Sequence, residues 1–340
     1  MSSLAKNSPF SDEKVVIDLL GGSLASLGAP AGRPALYAER QHAAGLNVIH
    51  VSVGTFATGI EPVLTEIFEY QCLFRDMAER IMAVRTVGDI AEAKRSGRVG
   101  VILGCQGLDF IGRNPRLLTI MSHLGLRIAS LTYNERNNLG SGCMETEDRG
   151  LTLTGRKVVR ELRSNRIALD LSHVGYRTSM DAIELYDGPV IFTHSNADTV
   201  TPSPRNLKDD QIRAAAQTGG LIGISPYSAF CRKEPHRRPT VDDFMDHIDY
   251  IVNLVGINHV AIGTDLFQHT KVQWENSTKR FYPEMVGDAI WETAYCEGFD
   301  NVSAFPAIPS VLARRGYDET EISKIMGGNI LRALGDAWRS

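Results

Sequence analysis

The 340-residue chain has five cysteines, Cys72, Cys105, Cys143, Cys231 and Cys296, and no CxxC pair among them. An odd, widely spaced set excludes a disulfide framework and a zinc knuckle, and it fits the reduced thiols of a cytoplasmic protein. Nowhere does an apolar run reach the ~18 residues a membrane span requires. The opening segment, Met1 to Lys6, is polar and leads to Asp12 and Glu13, without the apolar stretch of a signal peptide. Positive charge is not in excess: 36 Lys and Arg against 40 Asp and Glu leave a net charge of −4. That balance argues against nucleic acid as a partner. A GxGxxG is also lacking after the first apolar run, where Gly21-Gly22 is too short to be a dinucleotide fingerprint.

What is present is an alternation of short apolar runs with amphipathic stretches. Eight runs, Val15–Leu20, Asn47–Val53, Val99–Gly104, Arg127–Thr132, Ile167–Leu171, Val190–Thr193, Gly220–Ser225 and His259–Thr264, are rich in Val, Ile and Leu. They show no strict polar alternation, as expected of parallel strands buried on both faces. Between them lie helical patterns such as Ile60–Met82, Gly155–Arg163, Ser179–Tyr186, Leu207–Thr218 and Val241–Val255. Eight strand–helix units in this length predict an α/β fold, a (β/α)8 TIM barrel forming one domain over residues 1–340. A doubly wound open sheet is the alternative. One stretch, 266–306, breaks the rhythm with Phe267, His269, Trp274, Tyr282, Trp291 and Tyr295. It leaves the C-terminal end of the last strand, so a lid over the barrel mouth is expected.

Barrel chemistry collects at the C-terminal strand ends. Here these ends carry Gln106, Tyr133 and Asn134, then His173, His194 and Asp265. Two histidines at the tips of adjacent strands and an aspartate two strands on make a metal-ligand constellation. Neutral imidazoles suit zinc, iron or manganese, and a nearby carboxylate can orient or deprotonate a bound water. Read singly, each histidine is an ordinary loop residue and Asp265 a helix cap; the combination favours a site. His50 falls inside the second run, where an imidazole is either a core residue with a backbone partner or a pocket wall.

Five segments, Ile167–His173, Val190–Asn196, Pro204–Asn206, Val260–Asp265 and Ile325–Arg332, resemble the membrane (renal) dipeptidase family. Gly150-Leu-Thr and Leu131-Thr-Tyr-Asn134 support the match, which runs from about Val15 to Leu334. The resemblance implies an amidohydrolase-type barrel with a two-metal centre that hydrolyses dipeptides, often as a homodimer. It assigns His173 and His194 to the second metal, Asp265 to the water and the leaving amine, and Arg205 to the substrate carboxylate. The first half departs from the pattern. Leu20 and Gly22 stand where the family has His-x-Asp, Gln106 replaces the bridging Glu, and Tyr133 replaces a substrate-polarising His.

The departures predict one divalent ion, zinc ahead of iron or manganese, held by His173 and His194 with Gln106 as a further donor, and no second metal. Tyr133 is then expected to donate a hydrogen bond to the oxyanion, with Arg205, His50 and Asn134 lining the substrate site. The expected function is metal-dependent hydrolysis of a dipeptide or small carboxylated amide. Two alternatives remain: a diverged enzyme acting on another carboxylated metabolite, such as an N-modified amino acid, and a non-catalytic binding barrel. The expected partner is a small carboxylated molecule, with neither nucleic acid nor membrane.

Overall fold

The computed structural model describes residues 14–22, 33–55, 59–234, 236–266, 271–287 and 289–339. The polar opening segment and Phe267 and His269 lie outside them. Among these residues nine strands form one sheet: β1 (Ile17–Asp18), β2 (Val48–Ser52), β3 (Ile81–Ala83), β4 (Val99–Gln106), β5 (Leu126–Ser130), β6 (Ala168–Asp170), β7 (Ile191–Phe192), β8 (Leu221–Ile224) and β9 (Val260–Ile262). All pairs are parallel, in the order β1-β2-β4-β5-β6-β7-β8-β9, with β3 attached to β4 off that path. Leu19 N–H donates to Ile262 O at 2.9 Å, which draws the first and last strands together. The eight expected runs thus form the eight-stranded barrel. The ninth strand, β3, was not expected, and the helix at Ile60 ends at Asp76 rather than running on to Met82.

Some helices begin where a side chain satisfies the first amides. Thr240 Oγ1 accepts from Asp243 N–H, and the Asp243 carboxylate accepts from Thr240 N–H, a capping box that starts Val241–Val255. The barrel interior is filled from its N-terminal end. Ile17, Val48, Ile102, Ile128, Ala168, Ile191, Leu221 and Ala261 pack against Ile330, Ala333 and Leu334 of the helix Asn329–Ala337. Asn329 fixes that helix by donating to Ile257 O (2.7 Å) and Val260 O (2.8 Å). Just before it, a Cβ on Gly327 would fall 2.2 Å from Val15 O, so only glycine permits the approach.

At the other end, residues 271–287 and 289–307 form short turns of α, π and 3-10 helix, with Trp274, Phe299 and Phe305 fully buried. This segment is tied to the barrel by Ser228 N–H to Ala294 O (2.8 Å), Cys296 N–H to Pro226 O (2.9 Å) and Val241 N–H to Glu297 O (3.1 Å). No helix among the described residues is long and apolar enough to cross a membrane.

Candidate active site

His173 follows β6, His194 follows β7 and Asp265 follows β9, so all three leave the C-terminal ends of their strands. Two buried clamps of the same design place them. After β6, Asp170 Oδ1 accepts from the N–H groups of Ser172 (2.9 Å) and Thr193 (3.0 Å), and its Oδ2 accepts the Thr193 hydroxyl (2.7 Å). After β1, Asp18 Oδ1 accepts from Leu20 N–H (3.2 Å) and Thr264 N–H (2.9 Å), and its Oδ2 meets the Thr264 hydroxyl at 2.5 Å. Each clamp locks the threonine immediately before a site residue, His194 in one case and Asp265 in the other. Neither aspartate was singled out from the sequence. The available signal was the repetition of Asp-Leu in one strand with Thr-His or Thr-Asp at the end of its neighbour in the barrel.

His173 and Asp265 both sit in the left-handed backbone region, with φ 69° and 53°. A non-glycine residue there costs about 1–2 kcal/mol, and such strain tends to collect at working sites. The two imidazoles face each other, Nε2 to Nε2, at 2.8 Å. His173 Nδ1 lies 2.6 Å from Asn134 Oδ1, an acceptor, so this nitrogen carries the proton and Nε2 presents a lone pair. His194 Nδ1 lies 2.8 Å from Thr193 Oγ1, which joins it to Asp170. Burial together with the Arg205 charge holds both imidazoles well below their ordinary pKa, so they are neutral.

Tyr133 stacks on His173, with ring centroids 4.0 Å apart and planes at 25°. Burial raises its phenol well above the usual value, so it stays a hydrogen-bond donor at every physiological pH. Tyr282 of the covering segment approaches Tyr133 to 6.1 Å, and Tyr295 Oη donates to Asp265 O at 2.6 Å. Residues 271–287 and 289–306 thus bring Tyr282 and Tyr295 to the site as packed short helices.

Asp265 is pushed up to about 7, chiefly by burial, with the Arg205 charge pulling it down and Asp18 pushing it up. Arg205 is 2% exposed. Its guanidinium donates to His194 O (3.1 Å) and Ser195 Oγ (3.5 Å), lies 4.9 Å from the Phe230 ring centroid, and leaves Nε with no partner. Among the described residues it forms no ion pair. A buried cation so placed is set to receive an anionic ligand. A cavity of about 500 Å3 runs past Arg205 and His173, with Cys143, Ser195 and Lys208 in its walls.

Two expected substrate contacts take other tasks. Asn134 is fully buried and orients His173 through Oδ1. His50 Nδ1 donates to Leu19 O at 2.6 Å, and its ring occupies the space beside Gly104, where a Cβ would fall 2.0 Å from Nε2. Burial pushes His50 down to about 4, so it is a neutral core residue beneath the site. Gln106 is nearly buried, its backbone N–H donating to Ser52 Oγ, and no side-chain hydrogen bond is seen among the described residues.

These residues do not suit a two-metal centre. Leu20 and Gly22 offer no ligand atoms, and no group of three or more His, Cys, Asp or Glu among the described residues is placed to hold an ion. The histidine pair suits a single cation. Two neutral imidazoles converge through Nε2 while their Nδ1 atoms are held by Asn134 and Thr193, the usual backing of a metal-bound histidine.

Fold and site together define a (β/α)8 barrel with buried histidine, acid and arginine chemistry at its strand ends. The chain belongs to the membrane dipeptidase family, whose model matches residues 35–292 and 291–339. It is 31% identical over 248 residues to an uncharacterised dipeptidase of Schizosaccharomyces pombe, covering 72% of this chain and 54% of the relative. A solved amidohydrolase from Pseudomonas aeruginosa superimposes with a TM-score of 0.85 at 30% identity, covering 96% of this chain and 97% of that one. A solved dipeptidase described as a metallopeptidase shares the fold at TM-score 0.82 and 23% identity, covering 96% and 99%. The chain spans between 52% and 61% of the length of five curated dipeptidase relatives.

Proposed function

We propose that this chain is a hydrolase of small amides bearing a free carboxylate, with dipeptides as the first substrates to test. Family membership and the dipeptidase relatives support the class of reaction. The observation that carries the reading is Asp265, a buried carboxyl pushed up to about 7 beside an arginine that forms no ion pair among the described residues. A group with that pKa is half ionised at neutral pH, so it can both take and give a proton. In this reading Arg205 binds the substrate carboxylate. Asp265 accepts a proton from the attacking water as the C–O bond forms, and then returns it to the departing amine as the C–N bond breaks. Tyr133 donates a hydrogen bond to the carbonyl oxygen as negative charge develops on it, a contribution of about 3 kcal/mol where one donor of this kind has been removed. His173 and His194 would hold one divalent ion, zinc by its affinity for imidazole, which when bound supplies Lewis acidity to water and carbonyl. The covering segment with Tyr282 and Tyr295 excludes bulk water.

The five free thiols support a reducing compartment, and the family resemblance supports a homodimer. The reading is tested by assaying a dipeptide panel with native protein and Asp265→Asn. Turnover is expected from the native chain, with a loss of at least a hundredfold in the variant and an unchanged circular dichroism spectrum. Full activity in Asp265→Asn overturns it. Leu20 and Gly22 favour one second reading, a carboxylated amide other than a plain dipeptide. Metal retained at one equivalent with no dipeptide cleaved would select it.

A further inference from the structure

The end of the barrel away from the catalytic groups carries an unusual concentration of one charge. Arg85 follows β3, Arg127 lies at the start of β5, Arg166 just precedes β6, and Arg332 and Arg339 belong to the helix Asn329–Ala337 and its end. All five line one cavity of about 410 Å3, with Trp338 in its wall. That volume lies in the range of small-molecule sites, about 300–1,000 Å3. The whole chain has a net charge of −4, so the cluster is not a sample of a basic surface.

Two of the arginines are accounted for by architecture. Arg127 donates to Arg85 O (2.7 Å), Ser122 O (2.8 Å) and Leu126 O (2.8 Å), and Arg332 donates to Gly219 O (2.6 Å) and Asn258 O (2.9 Å). Two carboxylates stand nearby, and both are engaged. Asp336 pairs with Arg339 at 3.0 Å, and Asp89 accepts from Arg85 N–H, Thr86 N–H and the Thr86 hydroxyl to cap the helix Val87–Ser96. The guanidinium groups of Arg85 and Arg166 make no hydrogen bond or ion pair among the described residues. Arg166 is also held in the left-handed region, φ 57°, directly after Asn165 at the end of the helix Leu153–Ser164. Glycine is the ordinary occupant of such a position. An arginine there carries backbone strain, in a helix end closed by Arg166 N–H to Arg163 O (3.1 Å) and Ile167 N–H to Leu162 O (3.0 Å). The like charges are felt within the cluster, since burial and then Arg85 and Arg166 lower the affinity of Arg127 for its proton.

We propose that this cavity is a second ligand site, one that takes a compact multivalent phosphate, either free or as the phosphate chain of a nucleotide. Planar guanidinium forks bind phosphate oxygens in pairs, and a multivalent anion relieves the repulsion among these arginines. The site is built on the starts of β5 and β6, the turn after the short strand β3 and the C-terminal helix, so its occupant grips the base of the barrel and not the substrate.

Calorimetric titration of the full chain with inorganic pyrophosphate, and separately with ATP, tests the proposal. Saturable one-to-one binding is expected in native protein and in Arg205→Lys, which alters only the catalytic end. Arg85→Ala and Arg166→Gly are each expected to weaken binding about tenfold or more. Arg166→Gly should do so while its melting temperature stays equal or rises, because glycine relieves the left-handed residue. Arg166→Lys, which keeps the charge but not the planar fork, should lose less affinity than Arg166→Gly while still binding more weakly than native protein. Tighter binding of ATP than of pyrophosphate identifies a nucleotide as the source, and equal binding identifies the phosphate chain alone. The proposal is overturned if neither anion saturates native protein. It is equally overturned if affinity falls in Arg205→Lys and is unchanged in Arg85→Ala and Arg166→Gly.

Discussion

Asp265 is the residue at which stability and activity pull in opposite directions. Its folded pKa of about 7 lies above the ordinary 3.8, so the folded chain holds a proton that the unfolded chain releases. Stability from this group is therefore intact below about pH 4 and is lost as pH rises toward 7. A shift of this size corresponds to on the order of 4 kcal/mol, and Asp18, also near 7, adds to the same trend. Asp265→Asn keeps a side chain tolerant of the left-handed backbone and removes the ionisation. Its melting temperature is expected to exceed that of native protein at pH 8 and to match it at pH 4. An equal change at both values would show that ionisation of Asp265 is not the source. The same pKa sets the activity profile: with the ionised carboxylate as base, kcat/KM should rise about tenfold per pH unit below 7 and level off above it.

At the scale of elements, the two Asp–Thr clamps decide how accurately strand ends deliver side chains. Thr193→Val removes a buried hydroxyl that touches both Asp170 Oδ2 and His194 Nδ1, while preserving shape. His194 then loses its backing, and affinity for zinc is expected to fall about 10–100-fold, measured by competition with a chelator. An unchanged affinity would make the clamp purely structural. These clamps explain why part of the site was readable and part was not. His173, His194 and Asp265 could be read because each follows an apolar run, where a polar residue needs a reason. Asp18 and Thr264 are 246 positions apart, and no local pattern announces that they will bond. The strand β3 escaped for a related reason. Ile81-Met-Ala is three residues long and continues the apolar spacing of the helix Ile60–Asp76, so periodicity reads straight through it. Asn134 and His50 were read as substrate contacts, but whether a side chain faces substrate or supports a neighbour depends on packing that residue type does not encode.

The whole molecule is a barrel closed at both ends by its own chain, and the two closures differ in kind. The base is sealed by Ile330, Ala333 and Leu334, which share one apolar cluster with the strands. The mouth is covered by short helices whose Trp274, Tyr295, Phe299 and Phe305 join the larger apolar cluster between strands and outer helices, and whose backbone bonds to the loops after the strands. Trp274 is the anchor of that cover: it is fully buried and lies 6.0 Å from the Trp291 ring. Removing a buried tryptophan costs about 3–5 kcal/mol, and here the loss falls on an element that makes no strand pair. Trp274→Ala is therefore expected to open the cover without unfolding the barrel. Limited proteolysis should cut within residues 271–307 and leave the remainder resistant, while KM for the best dipeptide rises and the main thermal transition moves by only a few degrees. Cooperative loss of the whole fold would mean that cover and barrel are one stability unit. In that case the aromatic segment is part of the core, and entry of substrate must use the cavity beside Arg205 and Lys208 instead.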